Sequence, residues 1–304
     1  MRGERTLMNT HTSLTESLNT RQNEYRYLLL DPLKKVANWN SLHAEQLRNI
    51  LGNGALSRVL RPDLAWSPEH CPLLVLLASP GETPNETLVQ HSEDYARGEA
   101  LYEKRYVCGW LVSPLAPDEM AGWLAALCRK IKQGSTLPVF EPLRLELLMA
   151  TADPVLLAGQ FASVSQWHLM SSAGERKAMN IQSSNDAWVL NWRAEQAQND
   201  ARNIWRILSA WQESGAALPT DAVRQAANAW NMSEKARLHH LSDRLYLALN
   251  TLTQPTDITR HAAVQTQLQK ASDDTSLYFE QLMHSLPDAV WQELRHLSLG
   301  KKGI

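Results

Sequence analysis

The side chains able to do chemistry fall in pairs that do not converge. His239 and His240 are adjacent, and neighbouring helix positions point about 100° apart, so their rings diverge where zinc ligands at i and i+4 would share one face. His91 with Asp94 and Tyr95, and His284 with Glu280, have the residue types of an acid–base set, but their spacing is that of any solvated helix face. Gly52-Asn53-Gly54-Ala55-Leu56-Ser57 follows a helix signal rather than a strand, and no Lys-Ser or Lys-Thr comes behind it. Neither a dinucleotide fingerprint nor a P-loop is built there, and the run reads as a helix C-cap and turn. Ser79-Pro80-Gly81 puts a proline where a nucleophile elbow needs an N–H. Cys71, Cys108 and Cys128 lack CxxC spacing and read as reduced core residues. The expectation is a non-enzymatic protein without catalytic residues, cofactor or metal.

The elements that would carry a binding surface are easier to read. Tyr25–Leu30 is a short apolar strand stopped by Asp31-Pro32, and Ser41–Leu51 is a helix with Ser41 as N-cap and Gly52 as its stop. Pro72–Ala78 is apolar throughout, as in a strand covered on both faces. A helix follows over Glu86–Arg105, with Leu88, Tyr95 and Tyr102 as one stripe, then a strand over Tyr106–Val112 ending at Ser113-Pro114. Pro117-Asp118-Glu119 opens a helix running to Lys132. The run LRLELLMA at 143–150 reads as a second strand, leading into a turn at Asp153-Pro154, where Asp caps and Pro starts a helix.

From Asn185 onward nearly every segment reads helical, with boundaries at Gly215, Pro219, Pro255 and Pro287. The predicted fold is a mixed α/β N-terminal lobe followed by an all-α C-terminal lobe. Its boundaries are a polar, flexible N-terminus at 1–24, an α/β domain at 25–170, a linker at 171–184 and a helical domain at 185–304. Thr220–Leu252 reads as a helical hairpin with its turn at Asn231-Met232-Ser233, in preference to a DNA-binding helix-turn-helix. Leu238, Leu241, Leu245, Leu249 and Leu252 form an apolar stripe in it.

Of 304 residues, 44% are hydrophobic and 20% charged, and 30 Lys and Arg face 32 Asp and Glu for a net charge of −2. That balance gives no electrostatic reason to expect nucleic acid or anionic lipid. With no apolar run long enough to span a bilayer and no signal-like N-terminus, a cytoplasmic protein is expected. Five of the 11 tryptophans fall between Trp188 and Trp230: Trp188, Trp192, Trp205, Trp211 and Trp230. They serve as a compact helical core or as a protein-binding face, since Trp is enriched at interface hot spots.

Five features occur in order: Leu29-Leu30-Asp31, Pro72-Leu73-Leu74-Val75, Gly109 through Ser113, Asp153-Pro154-Val155-Leu156-Leu157, and Trp167. In this arrangement residues 25–170 resemble the N-terminal domain of the type VI secretion adaptor, or effector chaperone, proteins (the Tap or TEC group). Val155 stands where that family has Arg after the Asp-Pro pair, and a second registration places the motif on Phe140-Glu141-Pro142 with Arg144 nearby. The resemblance implies a non-enzymatic adaptor whose partners are an effector protein and a VgrG-type spike protein, and it marks Asp31, Gly109, Ser113, Asp153, Pro154 and Trp167 as framework positions. A cytosolic hydrolase or transferase, or a structural subunit of the same machine, are the alternatives.

Overall fold

A computed structural model describes residues 12–130, 135–180, 190–254 and 257–296. Among them, strands β1 (Tyr25–Leu30), β2 (Leu56–Arg58), β3 (Leu73–Ala78), β4 (Val107–Ser113), β5 (Gln166–Met170) and β6 (Arg176–Asn180) form one sheet in the order β2-β3-β1-β4-β5-β6. Every pairing is antiparallel. The central strands are apolar on both faces because both faces are covered. Leu28, Leu30 and Trp110 pack under α1 (Leu14–Leu18), α2 (Ala44–Leu51) and α3 (Glu86–Gly98). Tyr27, Leu29 and Leu111 pack under α4 (Pro117–Lys130), α5 (Pro142–Thr151) and α6 (Pro154–Gln160). All three cysteines are free and buried in this lobe.

Gly109 sets the geometry at the sheet centre. Leu29 pairs with Gly109 but Leu30 pairs with Val107, so Cys108 is an extra residue in β4 and the strand bulges. The bulge explains why Cys108 and Trp110, two apart, face opposite sides. Gly109 has φ +145, and a Cβ there would stand 2.5 Å from the His168 carbonyl and 2.7 Å from Trp167 Nε1. Glycine is therefore required for both backbone and space.

The helical lobe is built from α7 (Trp192–Asn199), α8 (Ala201–Glu213), α9 (Ala222–Lys235), α10 (Leu241–Thr253), α11 (Ala262–Asp273), α12 (Phe279–His284) and α13 (Asp288–His296). The expected architecture of an α/β lobe followed by a helical one is what the chain forms. Gly52 and Gly215, at φ 87 and 89, end helices as expected. Asp243 is buried and caps α12, accepting the Phe279 N–H at 2.8 Å and the Glu280 N–H at 3.1 Å.

Several expectations are corrected. The run at 143–150 is helix α5, not a strand. Pro142 occupies its first turn, Leu145 and Leu148 face the sheet, and Leu143 and Leu147 face the helical lobe. A helix buried on two sides has no single polar stripe, and its Leu-Arg-Leu-Glu-Leu start imitates strand alternation. Within the expected linker, β6 pairs with β5 across a turn at Gly174, φ 75. The hairpin is held from outside: Glu146 accepts the Ser172 N–H at 2.8 Å, its hydroxyl at 2.9 Å and Lys177 Nζ at 2.8 Å. Buried Arg105 donates to the Met170 carbonyl and to Ser172 Oγ.

Within the expected flexible N-terminus, α1 is docked. Ser13 and Glu16 form a capping box, and Leu14 and Leu18, one turn apart, are buried against the α3 side of the sheet. The α2 cap is His43 rather than Ser41, because Asn40 and His43 turn the chain first. Helix α3 stops at Gly98, since Glu99 is buried to accept the Val107 N–H at 2.7 Å, and Tyr102 falls in the loop beyond. Asn231-Met232-Ser233 lies inside α9; the hairpin turn comes later, at Ala236–His240, where Arg237 has φ 55 and Leu238 leaves the helical stripe.

Gly109→Ala should cost roughly 3 kcal/mol or more of stability in urea unfolding, because backbone and indole must both move. Burial, reinforced by Arg176, pushes His168 down to about 4 from 6.5. The unfolded chain then binds the extra proton first, so stability is fully present above the unfolded value and is lost as pH falls from 6.5 toward 4. The loss is roughly 3 kcal/mol in total. Urea unfolding of wild type and His168→Gln across pH 7 to 4 should give curves that separate by that slope.

Candidate functional site

Helix α7 begins beneath the only described member of the tryptophan group that faces solvent. Asn191 caps it, its Oδ1 accepting the Ala194 N–H at 2.8 Å, and this holds Trp192 in the first turn, 69% exposed. Trp230, on α9, is 3% exposed and lines the same groove between α7 and α9. Its Nε1–H has no acceptor among the described residues. A space of about 20 Å³ lies between them, room for one water-sized group.

The groove wall carries Asp200, Glu234 and Arg193. Gln196 donates to Asp200 Oδ2 at 2.7 Å and to Glu234 Oε2 at 3.5 Å, so two carboxylates share one amide. Burial, then the neighbouring Asp200, raises the Glu234 carboxyl, against Arg244 and Gln196. The nearest Arg244 nitrogen is 4.0 Å from Glu234, and Arg193 is turned to Asn228 at 2.5 Å.

The rest of the tryptophan group is structural or outside view. Trp205 ties the lobes together, donating to the Leu101 carbonyl at 2.8 Å, and Trp211 is buried in the helical core. Trp188 lies outside the described residues. Two exposed rings were missed: Trp39 at 85% and Trp66 at 97%. Their signal was present, since Asn38 and Asn40 flank the first and Pro62, Ser67 and Pro68 surround the second, marking turns where an aromatic has no apolar face to join.

The framework positions do not form one cluster. Gly109 and Trp167 meet in the sheet as described. Ser113 Oγ donates to the Ser163 carbonyl at 2.6 Å and accepts the Leu115 N–H, closing β4. Asp153 caps α6, accepting the Val155 N–H at 2.9 Å, with Pro154 as first helical residue. The second registration starts a helix too, with Arg144 exchanging hydrogen bonds at 2.9 Å with the Gln198 carbonyl and side chain.

Asp31 lines a different cavity, of about 160 Å³ between the lobes, with Lys104, Glu141, Arg144, Arg202 and Trp205. Its Oδ1 accepts the Leu33 N–H at 3.0 Å, Oδ2 has no partner among the described residues, and burial raises its carboxyl. The cations here are already engaged: Lys104 and Arg144 with Glu141, Arg202 with Glu103, and Arg105 with the Met170 carbonyl and Ser172 Oγ.

The histidines are absorbed by the fold. His239 and His240 bond separate carbonyls, of Ser272 and Thr275, each at 2.9 Å, and His240 stacks on Tyr278 with centroids 3.9 Å apart. His91 faces Asn40 Oδ1 at 3.4 Å, and His284 packs edge-on to Tyr246. Among the described residues, no group of three or more His, Cys, Asp or Glu is placed to hold a metal ion, and no helix is long and apolar enough to cross a membrane. The chain matches no protein-family model, no curated protein and no solved structure.

The buried indole N–H of Trp230 has no acceptor among the described residues, and a buried donor left unmet costs free energy. Trp230→Phe keeps most of the ring while removing that group, so it should leave stability unchanged or raise it by up to about 1 kcal/mol in urea unfolding. Trp230→Ala should lose about 3 kcal/mol or more.

Proposed function

We propose that this chain is a non-enzymatic adaptor, working in the cytoplasm, that binds a secreted effector protein and helps load it onto the VgrG-type spike of a type VI secretion system. It would do so without a cofactor, nucleic acid or membrane insertion. The observation carrying this reading is Trp192, held 69% exposed by its helix cap above the groove floored by Trp230. Covering a ring of that size removes on the order of 150 Å² of apolar surface from water, worth roughly 4 kcal/mol before ordering costs.

Trp39 and Trp66 support the same reading, because they give the α/β lobe its own exposed aromatics, on loops preceding α2 and β3. An adaptor joins two partners and needs two surfaces. The resemblance of residues 25–170 to the adaptor domain supplies the identity of those partners.

Co-expression with the products of adjacent reading frames tests the proposal. The wild-type chain should co-purify with an effector and a spike protein. Trp192→Ala should keep its unfolding midpoint, since an exposed ring contributes within about 0.5 kcal/mol, yet weaken capture by about 30-fold, the scale of a hot-spot residue. Capture by Trp192→Ala equal to wild type would remove the groove from the account, and failure of the wild-type chain to capture any of these products would remove the adaptor reading.

A further inference from the structure

We propose that Asn53 is a site of spontaneous covalent modification: its side-chain amide cyclises onto the Gly54 nitrogen and the ring then hydrolyses, leaving aspartate or isoaspartate between α2 and β2. The proposal goes beyond the adaptor reading and does not depend on it.

The motif is the glycine-rich run after α2, which builds no nucleotide site. Asn53-Gly54 is the one Asn-Gly dipeptide among the 304 residues. Asparagine is a thermolabile residue, because the backbone nitrogen of the next residue can attack its Cγ and close a five-membered succinimide. A Cβ on that next residue obstructs the approach, and glycine has none.

Water is the only co-reactant. The Gly54 N–H loses its proton to hydroxide, the N–Cγ bond forms, and the Cγ–Nδ2 bond breaks with ammonia as the leaving group. Water then opens the ring. Breaking the new N–Cγ bond gives aspartate, whereas breaking the original backbone C–N bond gives isoaspartate, whose main chain runs through Cβ and Cγ.

Three features of the structure leave this step open. Asn53 and Gly54 are both exposed, so water and hydroxide reach them. The Asn53 side chain holds no hydrogen bond among the described residues, so nothing fixes its amide away from the backbone. The backbone there is a single 3₁₀ turn, Asn53–Ala55, closed by the Ala55 N–H on the Gly52 carbonyl at 3.3 Å. Helical dihedrals hold the nitrogen away from Cγ, but one turn on one long hydrogen bond opens at little cost. Asn40 is the contrast: the next residue, Ser41, is also small, but Asn40 Oδ1 accepts the Leu42 N–H at 2.9 Å and the side chain is held. Asn85 and Asn191 are held in the same way as helix caps.

The products change this part of the lobe in two ways. Both place a negative charge just past the carbonyl end of α2, where the helix dipole disfavours it. Isoaspartate also adds a main-chain atom ahead of β2, an edge strand that pairs with β3 over three residues. The fold itself does not require glycine at 54. Its φ is not positive and a Cβ there meets nothing within 4 Å, so Gly54→Ala should fold as wild type does.

The full-length chain is incubated in neutral and in mildly alkaline buffer, digested under mildly acidic conditions and read by mass spectrometry over time. Asn53 should convert ahead of every other asparagine, with both isomers among the products, since direct hydrolysis of the amide gives aspartate alone. The rate should rise in proportion to hydroxide, because the attacking nitrogen must lose its proton. Gly54→Ala should slow conversion by an order of magnitude or more.

An intact Asn53 while another asparagine converts, aspartate as the sole product, or Gly54→Ala converting at the wild-type rate overturns the inference; the first two outcomes need no variant. None of them bears on partner capture, so failure here leaves the adaptor reading where it stands.

Discussion

The fold hangs on one helix being buried from two directions. Helix α5 sends Leu145 and Leu148 into the sheet-side core and Leu147 into the helical core, so neither lobe closes without it. Its polar residues are matched rather than solvated: Glu146, 4% exposed, is satisfied by the Ser172 N–H and hydroxyl and by Lys177, and Arg144 by Glu141 and Gln198. A buried carboxylate without such donors would cost several kcal/mol, so Glu146 commits the β5–β6 hairpin to one position. That hairpin then extends the sheet past Gly109, the residue whose missing Cβ lets the Trp167 ring and the His168 backbone approach.

The same helix positions the groove. Thr151 of α5 lines it together with residues of α7, α8 and α9, and α7 is locked to α5 by the reciprocal Arg144–Gln198 hydrogen bonds. A packed floor with an exposed ring at the rim suits partner capture, because little side-chain freedom remains to be lost on binding. Trp192 is both the first residue of α7 and its one aromatic, so its place is set by the Asn191 cap rather than by core packing.

The central strands were legible in the sequence because a strand covered on both faces is an uninterrupted apolar run, as in Leu73–Ala78 and Val107–Ser113. Helices with a single apolar face, such as α4, were legible for the converse reason. What failed were segments whose conformation is dictated from a distance. The α5 run lacks one polar stripe, and β6 depends on a carboxylate 31 residues before Lys177 in the chain. Helix α1 has only five residues and its burial is tertiary. At the candidate site the tryptophans were visible as types, but exposure was not: Trp192 and Trp230 look alike in sequence and differ because one starts a helix and the other faces into a bundle. That the Trp230 N–H finds no acceptor among the described residues has no sequence signal at all, since it depends on where distant acceptors are placed.

The proposed adaptor meets its protein partner at the α7–α9 groove. Hydrogen–deuterium exchange of the chain alone and in its co-purified complex tests this most directly. Protection gained by the partner across Trp192–Asp200 and Ala227–Glu234 is the predicted result. Those two segments exchanging at the same rate free and bound, with protection confined to other parts of the chain, would contradict it.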